Sequence, residues 1–520
     1  MHSDTTEYKG SWEPIQYRFK HLPVHMALLH TGKVLAFGGS GNDEHNRGNP
    51  LPGEIFDPGR GRSNRGEVFE IPNTGIQGDI FCAGHAFLAD GRLLIAGGTY
   101  RYDFSLFGIP FPPFSGLEHT YIFDPVKLNW NRMHNMGFGR WYPTCIMVTD
   151  GRILCVGGLT KYFPWAFLNK LEVFSNTDDS WKILGGANRW LPLYPRLHLL
   201  PSGEIFFAGS YNTHYTFPFS RVAFPSAKLN VQTKEWTTIG NPNNINREEG
   251  TTVLLPLIPP DYSARVLLIG GGTPTGTEAI NDVEMIDFSE NHPRYKPIAP
   301  LIHPRYYAYA VILPDKQVLV LGGRVGKKGH VKPDEPHTGH HVVVAVEDDE
   351  VPQDPMSVRE PELFNPEKGE WAPVAKMQVD RLYHSNALLL PDGRVMTAGS
   401  NPRRGINELR IELFCPSYLF RGNRPMIKKC PNTVPYGTNF EIETFEAADI
   451  KSVALIRPSA TTHCVNPEQR YVGLEFIQKN SNTILATMPL NRNVLPAGYY
   501  MLFILNYEDV PSVAYFILVN

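Results

Sequence analysis

The chain has 520 residues and a formal net charge of -3, which gives no electrostatic case for nucleic acid or an anionic membrane as a partner. No apolar run reaches the length of a membrane span, and the first residues lack the apolar core of a secretory signal, so the sequence alone leaves the compartment open. With 46 Gly, 45 Pro and 12% aromatics, the composition favours short strands joined by many turns over long helices.

In chain order, residues 9 to 19, KGSWEPIQYRF, read as one isolated strand that echoes GEWAPV at 369 to 374. A hairpin unit then recurs. It begins as LPVHMALLHTGKVLAFGG at Leu22, FCAGHAFLADGRLLIAGG at Phe81, WYPTCIMVTDGRILCVGG at Trp141 and YPRLHLLPSGEIFFAG at Tyr194. Further copies start at Gly250, at Tyr306 and, as RLYHSNALLLPDGRVMTAGS, at Arg381. Each is an apolar run, a turn that fixes the register, and a second β-prone run ending in small residues. Most are followed by a third strand and by a fourth carrying a tryptophan: Trp130, Trp181, Trp236 and Trp371. About seven such units, spaced roughly 50 to 75 residues apart, predict an all-β fold built on a seven-bladed kelch-type β-propeller over residues 1–414. The last copy lacks a fourth strand after ELRIELF, so the N-terminal segment is expected to supply it, closing the ring and covering two sheet edges.

Aligning the copies on their turns (Asp90, Asp150, Ser202, Asp315, Asp392) and counting back to the start of the first strand collects Cys82, Tyr142, Tyr194, Tyr307 and His384 at one repeat position. The first strand of each propeller blade lines the central axis, so these side chains are expected to form a ring at one mouth of the channel. The loops after the glycine pairs lie on the same rim. They carry Tyr100, Tyr102, Phe104, Phe107, Phe111 and Phe114 in one case, and Tyr162, Phe163, Trp165 and Phe167 in the other. Such aromatic walls suit a small-molecule pocket or pack on one another as a lid.

Of the six cysteines, Cys145 and Cys155 flank one hairpin turn symmetrically and are expected to face each other, as two buried thiols in preference to a cross-strand disulfide. The insertion holding His330, His337, His340 and His341 is rich in Lys, Asp, Glu and Pro, which reads as a solvated loop in preference to a metal site. Past the last blade, residues 415–520 are short alternating strands and predict an immunoglobulin-like sandwich, with His463 on a loop between two of them.

At this point the residues carry a resemblance. The chain is similar to the galactose oxidase and glyoxal oxidase family of copper radical oxidases over essentially residues 10 to 520. Phe81-Cys82 resembles the family's Phe-Cys, whose cysteine bonds to a tyrosine ring carbon, and Tyr142 in RWYPT resembles that tyrosine. Tyr383-His384 resembles the axial tyrosine and first histidine ligand, and His463 in TTHCVNPEQR the second, inserted along the propeller axis by the C-terminal domain. The resemblance implies Cu(2+) held by Tyr142, Tyr383, His384 and His463, and a Cys82-Tyr142 thioether that stores a radical. It implies further that Tyr383 takes the substrate's proton, that Tyr142 removes a hydrogen atom, and that O2 leaves as H2O2.

RWYP and ELFCPSYLF look more like the glyoxal oxidase branch, which makes small aldehydes the expected substrates and primary alcohols the alternative. Thr160 stands where galactose oxidase stacks a tryptophan on its cross-link; Tyr162, Phe163 and Trp165 are the candidates to replace it. If a leader has been removed, the resemblance favours an extracellular protein. On fold alone a kelch propeller also serves as a binding scaffold. The convergence of a Cys, two Tyr and two His on one mouth separates the enzyme reading from that one.

Overall fold

The computed structural model describes residues 6–59, 66–102, 104–106, 109–111, 114–161, 167–209, 224–273, 278–326, 353–401 and 406–520. Seven antiparallel sheets surround an axis, as the repeats predict, and a smaller all-β unit follows. The inner strands are His25–Leu28, Gly84–Phe87, Thr144–Met147, Arg196–Leu199, Thr251–Leu254, Tyr309–Ile312 and Asn386–Leu389. Every residue in them is buried, because both faces of an inner strand meet neighbouring blades. The first blade begins at His25 and the seventh at Asn386. The seventh is completed from the other end of the chain: Ser11–Trp12 runs antiparallel to Arg410–Cys415, with Trp12 opposite Phe414. Trp12 Nε1 also donates to the Ala375 carbonyl at 2.7 Å.

A recurring strut lies beneath the rim. In blades three, five, six and seven a buried arginine reaches a buried glutamate on the third strand: Arg140 to Glu172 (2.8 Å), Arg247 to Glu284 (2.5 Å), Arg305 to Glu362, and Arg381 to Glu412 (3.0 Å). Each guanidinium also donates to the carbonyl of the glycine that ends the second strand: Gly157, Gly270, Gly322 and Gly399. Each glutamate accepts backbone N–H groups from the segment entering its blade's rim. The charges are thus paired and hydrogen-bonded, which is the condition for burying them.

The C-terminal unit is one eight-stranded sheet that curls around a core including Phe440, Ile442, Leu455, Ile484, Leu502 and Ile517. It reaches the propeller by strand addition. Ala460–Thr462 pairs antiparallel with the inner strand of blade one, His25 opposite Thr462 and Ala27 opposite Ala460. The segment beyond is pinned on several sides: Glu468 accepts the Phe87 N–H at 3.2 Å, Gln469 bonds Ile312 N and Ala310 O, and Arg470 donates to Leu199 O. All six cysteines are free thiols; Cys145 and Cys155 sit directly opposite each other and fully buried.

Candidate metal centre

Two residues before each inner strand the chain turns onto the rim. The residues there are Pro23, Cys82, Tyr142, Tyr194, Glu249, Tyr307 and His384. The six after Pro23 all have left-handed backbones, with φ of 61° at Cys82, 62° at Tyr142, 43° at Tyr194, 53° at Glu249, 62° at Tyr307 and 61° at His384. Bulky L-residues there cost roughly 1–2 kcal/mol each and persist where the surroundings over-determine them. Here backbone bonds pass from one rim residue to another: Tyr142 N donates to Cys82 O (3.0 Å), Tyr194 N to Tyr142 O (2.9 Å) and Tyr307 N to Glu249 O (2.9 Å). The Arg–Glu struts hold the segment just before four of these positions.

The fourth corner comes from the C-terminal unit. His463 (φ 45°) and Cys464 (φ 63°) are the two left-handed residues of a tight turn closed by reciprocal bonds between Thr462 and Val465. That turn delivers the His463 imidazole onto the axis. The ligand atoms of Cys82, His384 and His463 lie within 4.8 Å of one another, all buried. His384 and His463 stand nearly perpendicular with ring centres 4.7 Å apart, and Cys82 Sγ is 3.6 Å from His463 Nε2. Tyr142 and Tyr383 meet hydroxyl to hydroxyl, and their rings lie 4.6 and 5.5 Å from that of His463. All five residues singled out by the sequence therefore converge.

The tautomer of His463 follows from its neighbour. The Thr462 hydroxyl has one proton, and it is donated to the Val24 carbonyl at 2.9 Å. The 2.6 Å contact between Thr462 Oγ1 and His463 Nδ1 must then be a bond from Nδ1–H, leaving the Nε2 lone pair facing Cys82. Burial pushes the His463 imidazole well below its usual range, so it is neutral and available as a ligand at neutral pH. Burial also drives the phenols of Tyr142 and Tyr383 well above theirs, so without a metal both are protonated. A cation at this point reverses that balance. Two imidazoles and two phenols suit Cu(II), and the donors present fit that ion.

Further shells were not legible in the sequence. His25 and His85, on the inner strands of blades one and two, lie edge to face at 5.2 Å, with His25 6.2 Å from His463. Burial keeps both neutral, His85 down to about 4. Trp141 stacks on Tyr142 at 3.8 Å and 18°, and Phe114 stacks on Trp141 at 4.5 Å and 3°. The ring covering Tyr142 is thus its own sequence neighbour, a possibility the RWYP motif contained. Thr160 contributes a carbonyl that accepts the Gly116 N–H at 3.1 Å. Tyr102 and Phe114 join this cluster (4.9 Å), Phe167 is buried nearby and Tyr100 is exposed. Phe107, Tyr162, Phe163, Trp165, His330, His337, His340 and His341 lie outside the described residues, as do the side chains of Phe104 and Phe111. Glu249 escapes an alignment on the turns because its copy of the hairpin, GTTVLLPLIPPDYSARVLLIGGG, has a longer turn.

The geometry agrees with the chain's relatives. Residues 424–519 match the family model described as galactose oxidase-like, early set domain. An aldehyde oxidase GLOX of Vitis pseudoreticulata is 28% identical over 479 residues, covering 84% of this chain and 81% of that protein. Galactose oxidase of Gibberella zeae is 24% identical over 97% of this chain and 70% of its own. Among solved structures, a fungal alcohol oxidase of the AA5 family in complex with copper shares the fold, with a TM-score of 0.78 at 23% identity over 98% of this chain and 99% of that one. No helix among the described residues is long and apolar enough to cross a membrane. The matched C-terminal domain, the two oxidase relatives spanning propeller and C-terminal unit together, and a donor set suited to copper agree: the chain is an oxidoreductase similar over both units to the copper radical oxidases that include galactose oxidase and glyoxal oxidase.

Proposed function

We propose that the chain oxidises small aldehydes, as their hydrates, to carboxylic acids and passes the electrons to O2, giving H2O2. The observation that carries this is the contact of the Tyr142 and Tyr383 hydroxyls beside two neutral imidazoles, with Cys82 in the same cluster. His384, His463, Tyr142 and Tyr383 would hold the copper. When bound, copper supplies a one-electron redox partner and a Lewis acid for the substrate oxygen.

The side chains divide the remaining work. Tyr383 is half-buried where the other ligands are buried, so it is the ligand a substrate hydroxyl meets, and it accepts that hydroxyl's proton. Tyr142, buried under Trp141, is the group that removes hydrogen from the adjacent carbon. Joining it to Cys82 exchanges an S–H and a ring C–H for a C–S bond, with O2 as acceptor. A thioether substituent and a stacked indole both make loss of an electron from the phenolate easier and shield the radical from solvent. In the net reaction the hydrate gives up two hydrogens and O2 takes them as peroxide.

Aldehydes are preferred over primary alcohols on RWYP, ELFCPSYLF and the origin of the stacking tryptophan. The alcohol reading is favoured by the galactose oxidase relative, whose name is that of an alcohol-oxidising enzyme. Intact-mass analysis of copper-loaded, aerobically incubated protein tests the cofactor. The expected result is a pair of hydrogens lost, localised by peptide mapping to Cys82 and Tyr142, with Cys82→Ser keeping its mass and losing at least about a thousandfold in turnover. An uncrosslinked, fully copper-loaded chain overturns the reading. Peroxide release from methylglyoxal against that from a primary alcohol then separates the two substrate classes.

A further inference from the structure

Around the rim, five of the six left-handed positions are filled by buried side chains; the remaining one, Glu249, is half-exposed. It follows Tyr194 and precedes Tyr307 in the ring, and Tyr307 packs on Tyr383 at 5.1 Å. Glu249 and Tyr383 are thus both partly exposed and lie on either side of one buried tyrosine, Tyr307, whose backbone N–H bonds the Glu249 carbonyl at 2.9 Å.

The backbone that aims Glu249 is fixed by its left-handed φ of 53° and by the Tyr307 N–H on its carbonyl. Its carboxylate interacts electrostatically with the buried Arg196 guanidinium. The charges around it are accounted for. Arg196 is buried and donates to the Gly250 carbonyl, Arg324 is 3.0 Å from Asp354, and Glu248 adds a second half-exposed carboxylate. The field of Glu249 reaches the site: after burial and Cys82, it is a cause of the raised Tyr383 phenol, and after burial the first cause at Tyr307.

We propose that Glu249 sorts ligands at this mouth by charge, admitting uncharged aldehyde hydrates and disfavouring carboxylates, including the product. This rests on the oxidase reading above and deepens it. An aldehyde hydrate is neutral at pH 7 and its product is an anion, so a fixed negative charge at the opening binds substrate in preference to product. An oxidase converting alcohols to aldehydes would gain nothing from it.

Azide titration of the Cu(II)-loaded protein, followed by visible absorbance, tests this without requiring turnover. Glu249→Gln is expected to bind azide about five- to tenfold more tightly than wild type, with affinity for neutral imidazole unchanged within about twofold. The difference should shrink between about 10 mM and about 500 mM salt. Glu249→Asn, better suited to a left-handed backbone, should behave as Glu249→Gln does and guards against a folding artefact. Equal azide affinity in wild type and both variants overturns the proposal and leaves the oxidase reading standing. A wild-type chain with no copper-dependent azide band overturns both.

Discussion

Blades six and seven enter the rim in nearly the same way and leave it with different chemistry. In blade six the run is Arg305-Tyr306-Tyr307; in blade seven it is Arg381-Leu382-Tyr383-His384. Both arginines are fully buried against a glutamate and a glycine carbonyl, and both inner strands start two residues past the rim position. Blade seven therefore fits one more residue between the same two anchors. The extra residue lets Tyr383 stand beside His384, ring centres 3.9 Å apart, where blade six offers only a buried Tyr307. Tyr306 is tied outward to the carbonyls of Thr273 and Glu278. The proposed ligand pair thus arises from a one-residue difference in length on an unchanged support.

Breaking the support in each blade separates the two contributions. Arg381→Met leaves Glu412 buried without its cation and is expected to cost about 3–5 kcal/mol in chemical denaturation; Arg305→Met is expected to cost the same. Of these two variants only the blade-seven one should also weaken copper binding, because Arg381 precedes two proposed ligands, Tyr383 and His384, and Arg305 precedes none. Equal loss of copper affinity in both variants would mean that the ring responds as a whole and not blade by blade.

Much of this was written in the sequence and some was not. The hairpin period gave the blades because turn residues and paired glycines repeat at readable intervals, and aligning turns brought Cys82, Tyr142 and His384 to one position. His463 sits in a different domain with no repeat to align it; only the resemblance picked it out. The struts escaped because Arg and Glu lie far apart within each repeat and look like ordinary surface charge until the fold buries them. Trp141 escaped because adjacent residues in a strand point to opposite faces; only the left-handed Tyr142 turns the two rings onto each other.

Blade one sharpens the comparison by lacking the arginine. Glu54 occupies the glutamate position and accepts the N–H groups of Lys20 (2.8 Å) and His21 (2.9 Å), but His21 stands two residues before the rim, where blades three, five and six carry Arg. Burial raises the Glu54 carboxyl to about 7, against which its two backbone bonds work only in part. The folded state thus holds this proton more tightly than the unfolded chain does, and stability should fall as pH rises from about 4.5 through about 7, by up to about 3 kcal/mol. Glu54→Gln should flatten that part of the pH–stability curve. An unchanged slope would mean that other groups set it.

The smallest expected effect concerns His463, the proposed ligand that comes from the C-terminal unit. His463 takes its orientation from Thr462, whose hydroxyl spends its proton on Val24 O and so accepts from Nδ1. Thr462→Val keeps the shape of the side chain, strands the Nδ1–H and frees the ring to rotate or change tautomer. Copper affinity measured by chelator competition is expected to fall about 10- to 100-fold, the usual range for losing the group that orients a ligating histidine. Thr462→Ser restores the hydroxyl and should restore the affinity. If Val and Ser weaken copper alike, packing of the Thr462 methyl, and not the hydrogen bond, holds the imidazole. The blade-one strand pairing of His25 with Thr462 would then be the element that sets the ligand in place.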